Sequence, residues 1–193
     1  MRASDTRARV ERAAIELFAA NGVDGVSIAD IATAAGVSQG ALYRHYPGKQ
    51  DLAWHLFSTA YLRTAAELDE IRAEHAGFPA RLAAMVAHFC ALYDQDPELF
   101  RFMLLAQHGL LPHVGRKQRT PVDAIADAVG DAVAAREIAP VEPLAATALI
   151  IGIVLQSATF RVYGRLSGSL SPRAPGLTRA ALAAVEALGE TAT

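Results

Sequence analysis

Between Ser38 and Lys49 the chain collects Ser38, Gln39, Gly40, Ala41, Tyr43, Arg44, His45, Tyr46 and Lys49 within a stretch of about three helical turns. Small residues at the start of a helix let it approach another surface closely. Amide and guanidinium groups match the hydrogen-bonding edges of bases, and hydroxyl, imidazole and ammonium groups suit phosphates. That is the chemistry of a helix whose first turns enter the major groove of double-stranded DNA. Catalytic chemistry finds no comparable constellation. The histidines at 45, 55, 75, 88, 108 and 113 fall into no HxxxH or HExxH spacing. No glycine-rich phosphate loop, nucleophile elbow or paired-carboxylate signature is present. The expectation is therefore a binding protein that is not an enzyme and needs no metal or cofactor.

The residues before this stretch supply the elements that must hold it. Ser27 is placed to cap a helix, Asp30 three residues on completes a short-armed capping box, and Val26 with Ile31 form a hydrophobic staple. Ile28, Ile31, Ala32 and Ala35 recur at helical spacing. Gly36 ends that helix, because only glycine takes the left-handed conformation there without strain. Ser38 then caps the next helix, with Val37 and Leu42 as its staple. Two helices joined by Gly36-Val37-Ser38 read as a helix-turn-helix over about 27–46. A first helix from about Asp5 to Ala20, with Val10, Ala13, Ala14, Leu17 and Phe18 on one face, closes a three-helix core against Ile28, Ile31, Leu42 and Tyr46.

The run Ile31 to Lys49, read as Ile-Ala-x-x-Ala-Gly-Val-Ser-x-Gly-x-Leu-Tyr-x-His-aromatic-x-x-Lys, resembles the DNA-binding domain of the TetR/AcrR family of transcriptional regulators. Ala14, Leu17, Phe18 and Gly22 upstream extend the likeness, which is sharp over residues 10–50 and general beyond. It implies an all-α protein with a helix-turn-helix domain at 1–50 and a larger helical domain at 51–193 that binds a small molecule and dimerises. It also implies a repressor released from its operator by that ligand. The DNA-contacting set is Ser27, Ser38, Gln39, Gly40, Ala41, Tyr43, Arg44, His45, Tyr46 and Lys49. Two positions depart from the family pattern: Ala41 stands where Ser or Thr is common, and Gly48 where a capping Ser, Asn or Asp would hold the next helix.

Beyond Pro47-Gly48 the periodicity predicts a long helix from Lys49 to about residue 72, a mechanical link out of the DNA-reading element. Further helices are expected at about 79–93, from Pro97 to the loop that begins near His108, from Pro121 to near Arg136, over 143–160, and from about Leu177 to Gly189. Trp54, Tyr61, Phe89, Tyr93, Phe100, Phe102 and Met103 read one by one as core. Together with Gln107, His108 and Gln156 they would line an apolar pocket with a few polar handles, as the resemblance also implies. Residues 144–160 carry no charge, but fall short of the roughly 20 residues a membrane span requires. The resemblance makes this helix and the last one a homodimer interface, involving Leu149, Gly152, Ile153, Phe160, Leu182 and Val185.

The net charge is −2, with six basic against five acidic side chains in residues 1–50 and twelve against fifteen beyond. DNA binding would then depend on placement and dimerisation, not on a strongly basic domain. Arg116, Lys117 and Arg119 read as a solvated basic loop, and Arg2 as an arm that could reach DNA. A single cysteine, Cys90, excludes an internal disulfide and a cysteine-based metal site. With no secretory pattern at the start, the expected location is the cytoplasm. The expected partners are operator DNA, a small-molecule effector and a second copy of the chain, with no membrane. A helical small-molecule-binding or scaffolding protein without DNA function is the alternative.

Overall fold

The computed structural model describes residues 3–115 and 117–190. Among these the regular structure is helical: α1 (Ala3–Asn21), α2 (Ile28–Ala35), α3 (Gln39–Tyr43), α4 (Lys49–Glu74), α5 (Phe78–Gln95), α6 (Pro97–Leu110), α7 (Pro121–Ala134), α8 (Pro143–Val162) and α9 (Ala174–Glu190). Short 3-10 turns follow α6 at Leu111–His113 and precede α9 at Ser171–Arg173. The all-α class expected from the sequence is the observed one. Several boundaries moved: α3 is five residues long, α6 continues to Leu110, and α9 begins already at Ala174 and runs through Gly189 to Glu190.

The chain forms two compact units, Met1–Tyr61 with Pro97–Gln118, and Leu62–Asp96 with Arg119–Thr193. The sequence suggests a single cut near residue 50, but the first unit also takes the N-terminal half of α4 and all of α6. The reason is packing. Phe102 of α6 is 1% exposed and lies 5.6 Å, centroid to centroid, from Phe18 of α1. Leu52, Ala53, Leu56 and Phe57 of α4 and Leu110 of α6 join Val10, Ala14, Ile31 and Leu42 in one buried cluster. Phe102 thus covers Phe18 from the side of α6. Burying a phenylalanine contributes roughly 1.5–3 kcal/mol, which draws α6 onto α1.

The second unit packs α5, α7, α8 and α9 around large side chains such as Phe78, Leu82 and Leu170 together with many small ones. Ala124, Ala128, Ala132, Ala146, Ala158 and Ala181 are all essentially buried. Leu68, Met85, Ala124 and Ala128 form one cluster, with Ile71 and Ile125 against it. Across its surface Arg72 pairs with Asp131 at 2.8 Å, and Arg119 with Asp69 and, at 2.7 Å, with Asp127. Hydrogen bonds from Arg119 hold the Asp69 carboxyl below its ordinary range, and those from Arg72 do the same for Asp131. Arg119 of the expected basic loop is thus spent on carboxylates. Arg116, like Arg2, lies outside the described residues.

Candidate nucleic-acid interface

The helix-turn-helix is fixed by short-range bonds. The Ser27 hydroxyl accepts the Asp30 amide at 3.1 Å, while the Ser27 amide and hydroxyl donate to Asp30 Oδ2 at 2.8 and 2.7 Å. These bonds hold the Asp30 carboxyl low. At the other end Gly36 has φ +63°, and the Val37 amide reaches back to the Ala32 carbonyl at 2.9 Å. Ser38 caps α3 by accepting the Ala41 amide at 3.2 Å. Val26 and Ile31 are buried together, as a staple requires, and Leu42 is fully buried.

With Leu42 turned inward, α3 and the residues after it present Gln39, Gly40, Tyr43, Arg44 and His45 to solvent. Tyr43 is 52% exposed. Ser27 and Ser38 are exposed as well, although both hydroxyls are engaged as caps, and Ala41 is half-buried. This surface offers an amide, a guanidinium, an imidazole and a phenol around a bare glycine backbone, the set needed for base edges and phosphates.

Two members of the expected contact set are engaged elsewhere. Tyr46 is 5% exposed, and its hydroxyl donates to Glu11 of α1. Burial, then the Glu11 carboxylate, push its phenol up to about 12. Burial acts to raise Glu11, but hydrogen bonds from Tyr46 and Arg7 outweigh it and keep the carboxyl low. Arg7 donates to Glu11 at 2.7 Å and lies 2.8 Å from His55 Nε2, while the His55 ring sits 5.4 Å from Tyr46. Tyr46 is therefore a core residue tying the turn after α3 to α1 and α4.

Lys49, half-buried, donates through Nζ to the carbonyls of Asp24 at 3.0 Å and Val26 at 2.8 Å. From α1, Arg9 donates to the carbonyls of Ala35 and Gly36, the latter at 3.2 Å. The sequence reading missed Arg9. Its only trace is a charged residue on a helix otherwise read for its apolar face.

The expected ligand-lining residues divide between the two units. In the first, Tyr61 stacks on Phe57 at 5.3 Å, Trp54 lies against Phe57 at 6.4 Å, and Met103 is packed on the same core. Phe100 and Gln107 are half-buried there. In the second, Phe89 is half-buried and Tyr93 is buried beneath the Arg161 guanidinium at 5.8 Å. Gln156 is exposed on the outward stripe of α8, not turned into the interior.

α8 is long and apolar enough to cross a membrane by length and composition, with mean hydropathy 1.7, and only 28% of that window is buried. Its inward side is Ala146, Thr147, Ile150, Val154 and Ala158. Its outward stripe carries Leu144 at 57% exposure, Leu149 at 39%, Gly152, Gln156 and Phe160 at 44%. Among the described residues, and apart from its chain neighbours and the backbone of its own helix, no atom lies within 4 Å of where a Cβ on Gly152 would stand. Ile153 and Leu182 are half-buried, but Val185 is 1% exposed inside the protomer. Val185 is thus removed from any interface set.

Residues 12–56 match the family model for bacterial regulatory proteins of the tetR family. A Mycobacterium tuberculosis protein named for transcriptional regulation of mycofactocin biosynthesis is 43% identical over 70 residues, 36% of this chain and 35% of that protein. The HTH-type transcriptional regulator AcrR of Shigella flexneri is 37% identical over 78 residues, 40% of this chain and 34% of AcrR. The match thus spans about a third of the length of these curated relatives. The whole chain is similar in fold to the fatty acid degradation regulator FadR of Bacillus halodurans, with TM-score 0.81 and 18% identity over 91% of this chain and 93% of that one. It is also similar to the Bacillus subtilis FadR solved with stearoyl-CoA, with TM-score 0.75 and 19% identity over 91% and 97%.

Proposed function

From a chain that belongs, through its N-terminal domain, to the TetR family of bacterial regulatory proteins, we propose a sequence-specific DNA-binding transcriptional regulator that acts as a homodimer. The observation that carries this reading is the outward face of α3 and the turn after it, where Gln39, Gly40, Tyr43, Arg44 and His45 stand exposed behind the Ser38 cap of α3 and an α2 capped at both ends. Arg44 and Gln39 read bases, each good bidentate contact contributing about 1–3 kcal/mol of discrimination. Tyr43 and His45 reach flanking phosphates.

The second unit joins two protomers through the outward stripe of α8. Its exposed leucines and Phe160, around the notch left by Gly152, suit another copy of the same helix better than water. The regulator is a repressor, and an apolar or amphipathic small molecule releases it. The B. subtilis FadR of the same fold was solved with stearoyl-CoA, an amphipathic thioester, which makes that compound the first probe. Ligand and operator then oppose each other reciprocally, with a coupling of about 1–3 kcal/mol.

The test is selection of random duplex DNA by the full-length protein, followed by titration of stearoyl-CoA with and without the selected site. Recovery of two inverted half-sites, with weaker acyl-CoA binding in the presence of DNA, is the expected result. No enriched sequence would favour a helical binding protein without DNA function. Enrichment with equal acyl-CoA affinity in both titrations would remove that compound class as effector.

A further inference from the structure

The two ends of α2 are held by cations that come from different helices. Arg9 of α1 grips the carbonyls of Ala35 and Gly36 at its C-terminal end. Lys49, the first residue of α4, grips the carbonyls of Asp24 and Val26, which flank Gly25 just ahead of the capping Ser27. A cation on the first residue of a helix sits at the positive end of that helix's dipole, an unfavourable place. Two carbonyl oxygens presented side by side offset this, and they turn the half-buried ammonium inward onto the loop.

We propose that Lys49 is a positioning residue of the DNA-binding unit: it binds the α1–α2 loop to α4 and acts on operator affinity through the placement of α2, not through a phosphate. The arrangement has a mechanical consequence. α2 is tied to α4 at one end and to α1 at the other, so a shift of the first turn of α4 against α1 rotates α2. The turn at Gly36, closed by the Val37–Ala32 bond, passes that rotation to α3. This route deepens the ligand-controlled reading above and rests on it, whereas the tie itself does not.

The chain has only two lysines, Lys49 and Lys117, so 15N-lysine labelling gives two ammonium signals. In the free full-length protein at mildly acid pH, the Lys49 ammonium should exchange with water at least about tenfold more slowly than that of Lys117. Lys49→Met should speed exchange of the Asp30 and Ile31 amides and weaken operator binding by about tenfold or more, leaving the dependence of log K on log salt unchanged. Lys49 ammonium exchange as fast as that of Lys117 overturns the proposal. So does a Lys49→Met protein with unchanged amide protection and a salt slope lower by about one per protomer, the mark of a lost phosphate contact. Should that variant not fold, the ammonium exchange of the unmodified protein decides alone. Both exchange measurements need no DNA, so a protein that binds no operator would sink the regulator reading, and with it the effect of Lys49 on operator affinity, while the tie between Lys49 and the α1–α2 loop is still decided by exchange.

Discussion

The two units use their long-reaching cations differently. In the first, Arg9 and Lys49 cross between helices to seize backbone carbonyls 23 to 27 residues away. In the second, Arg72 of α4 and Arg119, in the loop just ahead of α7, meet side-chain carboxylates on α4 and α7. A cation on a carbonyl fixes the path of the main chain itself. A cation on a carboxylate fixes only two flexible side chains, and at 29–48% exposure the pairs are screened by water. The cores do not carry this contrast: Phe18, Phe57 and Phe102 lie among buried alanines in the first, and Phe78, Leu82 and Leu170 do so in the second. A backbone held by its own carbonyls suits a surface that must match DNA, where small misplacements of a donor cost affinity. A unit whose helices are laced by exposed ion pairs can shift with smaller penalties.

The test with the largest expected effect attacks the second unit's outward stripe. Leu149→Arg, at a 39% exposed position, should leave the protomer folded. In a symmetric interface it buries two unpaired charges, each costing about 3–5 kcal/mol. Light scattering should give a monomer, and operator affinity should fall by orders of magnitude. A dimer of normal affinity would show that the stripe serves another purpose.

Phe18→Ala comes next. Removing the ring from beside Phe102 should cost about 3–5 kcal/mol, read by denaturant unfolding. Amide exchange should rise throughout α1, α2 and α6 while α7–α9 stay protected. Equal loss in both units would mean that they unfold as one and that the division between them has no energetic meaning.

Gly36→Ala is smaller. The new Cβ must adopt a φ near +63° and meets Arg9 Nη2 at 2.6 Å. We expect a loss of about 1–2 kcal/mol together with a clear drop in operator affinity. A fully active variant would show that the Arg9 tie is dispensable.

The smallest effect belongs to the ion pairs. Asp131→Asn should cost no more than about 1 kcal/mol. Because Asp69 and Asp131 have folded pKa values below the ordinary 3.8, their stabilisation is complete above that pH and is lost as pH falls through the lowered values. Acid unfolding of the variant should therefore begin at slightly higher pH than that of the parent. A loss of several kcal/mol at neutral pH would place these pairs on a level with the first unit's ties.

What the sequence by itself determined lies within a few residues of its own cause. A capping serine, its carboxylate three residues on, the staple pairs and the terminating glycine act at separations of three to five. They can therefore be read without a fold, and the structure carries every one of them between Val26 and Leu42. The family pattern is legible for the same reason, being written over nineteen consecutive residues. Tertiary structure alone decided the fate of polar side chains with two possible employers. A tyrosine and a lysine beside a recognition helix look alike as phosphate ligands. In the protein without DNA their partners are Glu11, 35 residues upstream of Tyr46, and the carbonyls of Asp24 and Val26. Periodicity placed Gln156 and Val185 on helices but could not say which face was already covered. α8 turns Gln156 outward, and the protomer's own packing encloses Val185. The boundary of the DNA-binding unit was hidden likewise, because α6 joins it through a contact between Phe18 and Phe102, 84 positions apart in the chain. Burial depends on which surfaces meet, and no local pattern records that.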